Sequence, residues 1–205
     1  MECIRCGKAN ADSQSQHLVI GSTCPECVPR GEKTDFEIHL AQTPEDKQYV
    51  LTFLDNLFNE TEFIEWGKWY RVREMQQLIA VNDKGQNIGL AVFTTEPEDP
   101  GLMTLLTINV DEAFTRRGVG SALAQWVKKH AIEINVSRIR VPISNDDLVS
   151  YVFWHRHGFR LSGLDIGLCV KRHEKEETGF WGIPLRDELY LEWPAPDLSG
   201  EMSSA

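Results

Sequence analysis

The sequence predicts an α+β (α/β) fold, in which helices flank a mixed central sheet, with a small N-terminal segment built around cysteines. Three observations support this prediction: strand and helix patterns alternate through residues 34–194, two predicted helices separate strand patterns, and four of the five cysteines lie within residues 1–33. With 205 residues, of which 41% are hydrophobic and 25% charged, the chain can form one globular domain and a small appendage. We expect residues 195–205, rich in serine, to form a flexible tail.

The N-terminal segment contains two Cys-x-x-Cys pairs, Cys3 with Cys6 and Cys24 with Cys27, and 17 residues separate Cys6 from Cys24. Each pair can bind one ion through two thiolates, and four sulfurs close a tetrahedral shell that leaves no position for a substrate. The segment therefore resembles a zinc ribbon with a structural Zn²⁺, which would supply most of its folding free energy. A redox dithiol and unpaired surface thiols are the alternatives.

The first elements of the larger domain follow this segment. Residues 36–40 alternate apolar and polar side chains, which predicts a strand. Thr43 and Pro44 then form a helix start, with a hydroxyl at the cap position and proline in the first turn. Residues 60–73 are interpreted as either a second helix or a substrate-facing loop. Trp66, Trp69 and Tyr70 lie among charged residues in this segment.

The rest of the chain reads as alternating strands and helices. Strands are predicted at residues 78–81, 88–94, 102–110, 138–143, 159–170 and 188–193. The first two of these form a hairpin, and a loop at residues 96–101 follows it. An amphipathic helix at residues 118–134 and a helix at residues 146–157 would join the parallel parts of a mixed sheet. Cys169 lies in an apolar run and is expected to be a buried strand thiol without a role.

A glycine-rich turn connects the strand at residues 102–110 to the helix that follows it. Gly118 and Gly120 would let the backbone approach a ligand, and the free amides of the first helical turn would point at an anion. Arg116 and Arg117 add positive charge beside them. The turn is therefore predicted to bind a pyrophosphate, against the alternative of an ordinary helix start. It lacks the Lys and Ser or Thr of a Walker loop, and it is not a Rossmann fingerprint.

Together with residues 147–159, this turn resembles the GNAT superfamily of acyl-CoA-dependent N-acyltransferases. Gly118 and Gly120 match its acyl-CoA signature, and Val110 matches the aliphatic residue at the end of the preceding strand, whereas Thr115 replaces the usual Gln or Arg. The second family motif, an aromatic pair followed by Gly-Phe, reads Phe153-Trp154-His155-Arg156-His157-Gly158-Phe159. The resemblance covers residues 35–193 and implies a GNAT-type sheet in a domain of residues 34–194.

The resemblance implies acetyl-CoA as co-substrate. The strand that carries Val110 would splay from its parallel neighbour, and the Val110 amide would bind the thioester carbonyl. Asn145 is a candidate contact for the coenzyme arm, although the spacing from Gly158 places the matching position at Asp147. The residues implied to hold the pyrophosphate are Arg116, Arg117, Gly118, Val119, Gly120 and Ser121.

Two departures from the family concern catalysis. The tyrosine that protonates the departing thiolate in many members falls at Trp154, and Tyr151, one helical turn earlier, is the nearest substitute. The glutamate that acts as base in some members falls near Thr104, in a strand without titratable side chains. A base would then come from elsewhere or act through water, and three glutamates are candidates: Glu62, Glu65 and Glu96.

The net charge of the protein favours some classes of partner and disfavours others. The formal net charge is −10, whereas acidic and basic residues balance within residues 1–33, so the domain at 34–194 is acidic. This disfavours nucleic acid and anionic membranes and favours a cationic acceptor, for which the aromatic residues of 60–73 would supply cation-π walls. No apolar run is long enough to span a bilayer, and no secretion signal is present at the start, so a cytoplasmic location is expected.

The expected function is transfer of an acetyl group from acetyl-CoA to a primary amine by direct attack in a ternary complex. The acceptor would be a cationic small molecule or a protein amine. The alternative is a catalytically silent acetyl-CoA-binding sensor or adaptor that docks a protein partner through the zinc ribbon.

Overall fold

The computed structural model describes residues 34–173 and 175–194. The predicted zinc ribbon, with its ligands Cys3, Cys6, Cys24 and Cys27, lies outside the described residues, and so does the predicted tail at 195–205. Both stay predictions. Within the described ranges, no helix is long and apolar enough to cross a membrane, and no group of three or more His, Cys, Asp or Glu side chains is arranged to hold a metal ion.

Strands and four helices make up the described chain. The strands are β1 (Phe36–Leu40), β2 (Glu62–Glu65), β3 (Lys68–Arg71), β4 (Gln76–Asn82), β5 (Asn87–Glu96), β6 (Asp99–Val110), β7 (Arg138–Ser144), β8 (Arg160–Asp165), β9 (Glu177–Thr178), β10 (Pro184–Leu185) and β11 (Glu188–Pro194). The helices are α1 (Pro44–Phe58), α2 (Val119–Glu133), α3 (Leu148–Arg156) and α4 (Leu168–His173).

The central sheet has seven strands in the order β1-β4-β5-β6-β7-β11-β8. Its neighbours are antiparallel except β6 and β7, which are parallel and joined through α2. The predicted mixed sheet is therefore confirmed. Helix α3 also joins two strands that run in the same direction, because β7 and β8 are both antiparallel to β11. These two strands are not neighbours, since β11 lies between them.

The core lies on both faces of this sheet. Successive residues of β4 and β5 point to opposite faces, as the pleat requires. Leu78, Ala91 and Phe93 pack with α2 and with Trp154 of α3. Ile79, Leu90 and Val92 pack on the other face with Val50 and Leu54 of α1 and with Tyr70 of β3.

The predicted start of the first helix is confirmed. Thr43 caps α1: its hydroxyl accepts a hydrogen bond from the Asp46 amide at 3.1 Å, and the Asp46 carboxylate accepts one from the Thr43 amide at 3.2 Å. This reciprocal pair satisfies two of the free amides of the helix start. The four residues from Thr43 to Asp46 contain both capping side chains, so the sequence alone predicts where the helix begins.

Residues 60–73 form neither a helix nor a loop. They contain β2 and β3, which pair antiparallel in a separate two-stranded sheet. Trp66 and Gly67 connect the two strands, with φ angles of 50° and 70°. Two consecutive positive φ angles are what a two-residue hairpin turn of the I′ type requires. Because the segment mixes charged and aromatic residues, its sequence did not predict this hairpin.

Two further predictions are corrected. The strand predicted at residues 159–170 ends at Asp165, and Gly167, with φ of 73°, turns the chain into α4. Cys169 therefore lies on a helix, although it is buried as expected, and its thiol donates to the carbonyl oxygen of Asp187 at 3.3 Å. The loop predicted at residues 96–101 is a tight turn, because β5 continues to Glu96 and β6 begins at Asp99.

Candidate acetyl-CoA and acceptor site

The parallel strands β6 and β7 pair over a short stretch only. Their register runs from Leu102 opposite Arg138 to Thr104 opposite Arg140. Beyond Thr104, β6 continues to Val110 paired with β5, whereas β7 continues paired with β11. A register shift against β5 leaves one extra residue in β6 just after this point, and such a bulge bends the strand. A gap therefore opens between β6 and β7, as the family resemblance predicts.

The turn between Val110 and α2 has the shape of an anion-binding nest. Arg116 has φ of 63° and Gly118 has φ of 94°, with Arg117 between them in ordinary backbone conformation. Alternation of this kind brings successive amides round to one concave side. No side chain caps α2 at Gly118, so the first amides of the helix stay available to a ligand. A Cβ at Gly118 would meet no atom within 4 Å, which leaves the turn open.

Gly120 brings this turn into contact with the strand that diverges. A Cβ placed on Gly120 would lie 3.6 Å from a methyl group of Val110 and 3.6 Å from the ring of Phe153. The first turn of α2, the end of β6 and helix α3 therefore meet at one residue. The two family motifs, which are separated in sequence, are joined here in space.

The two arginines of the turn differ in their contacts. The Arg116 side chain is exposed. Arg117 donates from Nη1 to the hydroxyl of Thr34 at 3.0 Å, and its guanidinium lies 5.2 Å from the centroid of the Phe114 ring. Nε of Arg117 is buried and has no hydrogen-bond partner within the described part of the chain. Both cations border the nest, and Arg116 is the more accessible one.

Sequence reasoning missed a histidine behind the nest. Nε2 of His157 lies 3.1 Å from the hydroxyl of Ser121, in the first turn of α2. Burial and the charge of Lys128 lower the pKa of His157, so the imidazole is neutral at pH 7. Lys128 also donates to the backbone carbonyl of His157 at 3.0 Å. Only the fold brings these three residues together, so no local pattern could have found them.

Asn145 and Asp147 form hydrogen bonds with the chain itself. The Asn145 amide donates to the carbonyl oxygen of Pro184 at 2.9 Å and accepts from the amides of Arg186 and Asp187 at 2.8 and 2.9 Å. Asp147 caps α3 by accepting from the amide of Ser150 at 2.9 Å. Asn145 thus ties the segment before β11 to the C-terminal end of β7.

The predicted acid, Tyr151, lies on α3. Tyr151 is half-buried, and its ring is 4.4 Å from that of His155. Trp154, at the family tyrosine position, is 5% exposed and packs against Phe159. The indole is therefore part of the core.

Glu96 lies at the point where β6 and β7 separate. Its carboxylate accepts hydrogen bonds from Lys68 at 2.6 Å, Tyr70 at 2.8 Å and Thr104 at 2.5 Å, and Arg140 lies 3.1 Å away. Burial opposes ionisation, but the hydrogen bonds from Lys68, Thr104 and Tyr70 and the charge of Arg140 together lower the pKa of Glu96 to about 2. The carboxylate is ionised at neutral pH and a weak base, so its geometry does not favour the predicted role.

The other two candidate bases lie on β2. Glu62 pairs with Arg71 at 3.4 Å and Arg73 at 3.3 Å near the surface. Glu65 is 7% exposed and lies beside Glu188 and Arg172. Burial, together with a hydrogen bond to Glu188 and its charge, raises the pKa of Glu65 to about 9, although Arg172 opposes this.

Of the three predicted aromatic wall residues, two face the sheet. The Trp66 ring lies 3.9 Å from the Arg140 guanidinium and 5.0 Å from the Tyr190 ring. Tyr70 is buried and lies 6.3 Å from Trp66. Trp69 is 58% exposed, as the alternation of β3 requires.

Comparison with known proteins identifies the class. The model of the acetyltransferase (GNAT) family matches residues 39–159. This is more than half of the chain, and the chain belongs to this family of acetyl-CoA-dependent N-acetyltransferases. The predicted enzyme class is thus confirmed. The match begins after the cysteine pairs and does not bear on them.

Two Bacillus subtilis proteins, both described as uncharacterized, are similar in sequence. YdhI is 27% identical over 124 residues, which cover 58% of this chain and 74% of YdhI. YxbD is 25% identical over 158 residues, which cover 75% of this chain and 95% of YxbD.

Solved structures agree in fold. An acetyltransferase from Bacillus subtilis in complex with CoA superposes with a TM-score of 0.60 at 18% identity, over 78% of this chain and 99% of that one. The IAA acetyltransferase from Bacillus cereus gives 0.59 at 20% identity with the same coverage. A GNAT family acetyltransferase from Elizabethkingia anophelis with acetyl-CoA bound gives 0.59 at 17% identity, over 78% and 97%. The predicted GNAT-type sheet is confirmed.

Proposed function

We propose that this chain transfers an acetyl group from acetyl-CoA to a primary amine by direct attack in a ternary complex. The single observation that carries the proposal is the gap between β6 and β7 with the open nest at its mouth. Val110 would offer its amide to the thioester carbonyl. The pyrophosphate would be held by Arg116, Arg117, Gly118, Val119, Gly120 and Ser121.

The transfer forms one bond and breaks one. The neutral amine forms a C–N bond to the acetyl carbon, the C–S bond breaks, and coenzyme A leaves as the thiol after protonation. Tyr151 is the proposed acid. Because Glu96 is held by two cations, the amine would lose its proton through water rather than to that carboxylate.

Asn145 has a supporting part in this proposal. Its amide satisfies the backbone of residues 184–187. It would therefore shape the border of the gap instead of contacting the coenzyme arm.

We also propose that Cys3, Cys6, Cys24 and Cys27 bind one structural Zn²⁺, and that this ribbon offers a surface to a protein partner. A four-sulfur site would have no chemical part in acetyl transfer. The proposed location is the cytoplasm, where thiols stay reduced and available to a metal.

The acceptor is proposed to be cationic. Residues 1–33 are balanced in charge, so the net charge of −10 lies on the catalytic domain and its tail. An acidic surface raises the local concentration of positively charged amines.

Purified protein incubated with acetyl-CoA and a panel of amines tests the function through release of free thiol. The panel includes peptide N-termini, lysine peptides, polyamines and aminoglycosides. Amine-dependent release is expected. Acetyl-CoA binding without release on any amine would instead support the silent sensor or adaptor, and absence of acetyl-CoA binding would overturn both.

A further inference from the structure

Two buried carboxyl groups meet beside the Trp66 turn. Glu65, at the end of β2, is 7% exposed, and Glu188, at the start of β11, is 3% exposed. Arg172 of α4 binds both: it donates to the two oxygens of Glu65 at 3.3 and 3.1 Å and to Oε2 of Glu188 at 2.5 Å. One guanidinium thus binds two carboxyl groups from different elements. We call these two carboxyl groups the Glu65–Glu188 pair.

The charges of the Glu65–Glu188 pair do not balance. With both groups ionised, the pair and Arg172 carry one excess negative charge, which is costly in a buried place. Oε1 of Glu188 is buried and has no hydrogen-bond partner among the described residues. A buried acceptor of this kind is satisfied by an ordered water, a proton or a bound cation.

Without a ligand, a bound proton neutralises the excess negative charge of the Glu65–Glu188 pair. Burial raises the pKa of Glu65, the neighbouring Glu188 raises it further, and despite Arg172 it reaches about 9. The pair therefore holds one proton at neutral pH, and a cationic ligand would replace it. Other titratable groups surround the pair and Arg172, namely Glu60, Asp146, Cys169 and His173.

Aromatic rings and a third carboxylate complete the surroundings. The rings of Trp66 and Tyr190 lie 5.0 Å apart. Burial raises the pKa of Tyr190, and so do the charges of Glu188, Asp165 and Glu65. Aromatic faces next to carboxylates form the usual lining of a site for an ammonium group.

The Glu65–Glu188 pair lies close to the gap between β6 and β7. Glu188 is opposite Ser144, at the C-terminal end of β7, and Tyr190 is opposite Pro142. Because β11 lies on the side of β7 away from β6, the pair and the gap are separated by one or two strand spacings, roughly 5 to 10 Å. A short alkyl chain spans this distance.

We propose that the Glu65–Glu188 pair binds a second positive charge of the acceptor, so that the substrate is a short aliphatic diamine whose other amine reaches the gap. This inference rests on the proposed acetyl transfer and adds the class of acceptor to it. Oε1 of Glu188 accepts from the bound ammonium, the Trp66 and Tyr190 rings flank it, and Arg172 holds the two carboxyl groups in place.

The test compares 1,4-diaminobutane with butylamine, which differ in the second amine. The kcat/KM of each is measured for the wild type, Glu188→Gln and Glu65→Gln. The wild type should prefer the diamine by about tenfold or more, since a charge-assisted hydrogen bond is gained. Both variants should lose most of this preference, because kcat/KM should fall by a larger factor for the diamine than for butylamine, whereas the Kd for acetyl-CoA should stay the same.

Glu192→Gln is the matched control. It removes the same charge from the same strand, at a side chain that is 32% exposed and lies 3.5 Å from Arg138. The control should keep the preference for the diamine. A preference that Glu192→Gln abolishes equally would assign it to general surface charge and overturn the site.

A second measurement uses the wild-type protein alone and so does not depend on the folding of a variant. Calorimetry of the wild type at pH 7, in two buffers of different ionisation enthalpy, should show that the diamine releases about one proton more than butylamine on binding. Equal proton release, or equal turnover of the two amines, would overturn this inference and leave the acetyl transfer standing. Absence of turnover with every amine would overturn the proposed function itself.

Discussion

At the scale of single residues, the site depends on backbone angles that few side chains tolerate. Gly118 has φ of 94°, and Arg116 adopts φ of 63° although it is not glycine. A positive φ at a residue with a Cβ costs about 1 kcal/mol or more. These backbone angles direct the amides of the turn to one side. Binding of a pyrophosphate to these amides would offset the conformational cost.

Gly120→Glu should abolish acetyl-CoA binding, because a carboxylate at the first turn of α2 repels the pyrophosphate. We expect the Kd to rise at least about 100-fold. Isothermal calorimetry measures it. Gly120→Ala is the control, since its Cβ would make ordinary contacts of 3.6 Å with Val110 and Phe153 and should keep most of the affinity. Unchanged affinity in Gly120→Glu would contradict the assigned coenzyme site.

Glu96→Gln should destabilise the protein by about 3 kcal/mol at pH 7, because it leaves Lys68 and Arg140 without their anion. The pKa of Glu96 is about 2 in the folded protein, below its usual value. Unfolded chains therefore take up a proton first as pH falls, so the contribution of Glu96 is complete above about pH 4.5 and is lost on the way to about pH 2. Urea unfolding at pH 7 and pH 3 should show a difference between variant and wild type that shrinks at the lower pH. A constant difference would argue against the ion pairs.

At the scale of elements, two features shape the proposed acceptor side of the site. Strands β6 and β7 separate after Thr104, and the β2–β3 hairpin covers the sheet on the α1 side through Trp66 and Tyr70. The hairpin turn places the Trp66 ring over Arg140. Its shape depends on the positive φ angles of Trp66 and Gly67.

Gly67→Ala should destabilise this hairpin by about 1 kcal/mol, because alanine pays a steric cost at φ of 70°. No atom lies within 4 Å of the new Cβ, so a clash contributes nothing. Thermal unfolding should show a lower Tm. Gly85→Ala is the comparison, since Gly85 has φ of 76° in the β4–β5 turn with equally open surroundings. A loss of diamine preference in Gly67→Ala but not in Gly85→Ala would connect the hairpin with the acceptor; equal Tm for Gly67→Ala and wild type would contradict the strain.

At the scale of the whole molecule, an acidic transferase domain is joined to a segment of balanced charge that carries four cysteines. The family match begins at residue 39, beyond that segment. The domain has its own core on both faces of the sheet. Its folding should therefore be independent of a metal bound to the cysteines.

Purified protein should contain about one zinc per chain, and a strong chelator should unfold residues 1–33, because folding and metal binding are coupled in so small a segment. Acetyl-CoA binding should survive chelation. Elemental analysis after purification under reducing, chelator-free conditions measures the metal. Less than about 0.2 zinc per chain would contradict a four-cysteine site. Loss of turnover in Cys24→Ser, with acetyl-CoA binding intact, would place the segment at the acceptor side.

The sequence by itself determined the features that depend on neighbouring residues. The cap at Thr43, the glycine turn before α2 and the aromatic pair before Gly158 could be read directly, because a cap, a turn and a helix end each need only a few consecutive side chains. These features were enough to predict the family and to place the expected pyrophosphate site at the turn before α2.

Only the tertiary structure determines how the charged groups on the proposed acceptor side are arranged. Glu96 meets Arg140 across 44 residues, and Glu65 meets Arg172 across 107, so no local pattern marks either contact. Their pKa values shift in opposite directions. Hydrogen bonds from Lys68, Thr104 and Tyr70 and the charge of Arg140 lower the pKa of Glu96 against burial, whereas burial and Glu188 raise the pKa of Glu65 although Arg172 opposes this. A glutamate side chain is thus either ionised or protonated at neutral pH, depending on the residues that the fold packs against it.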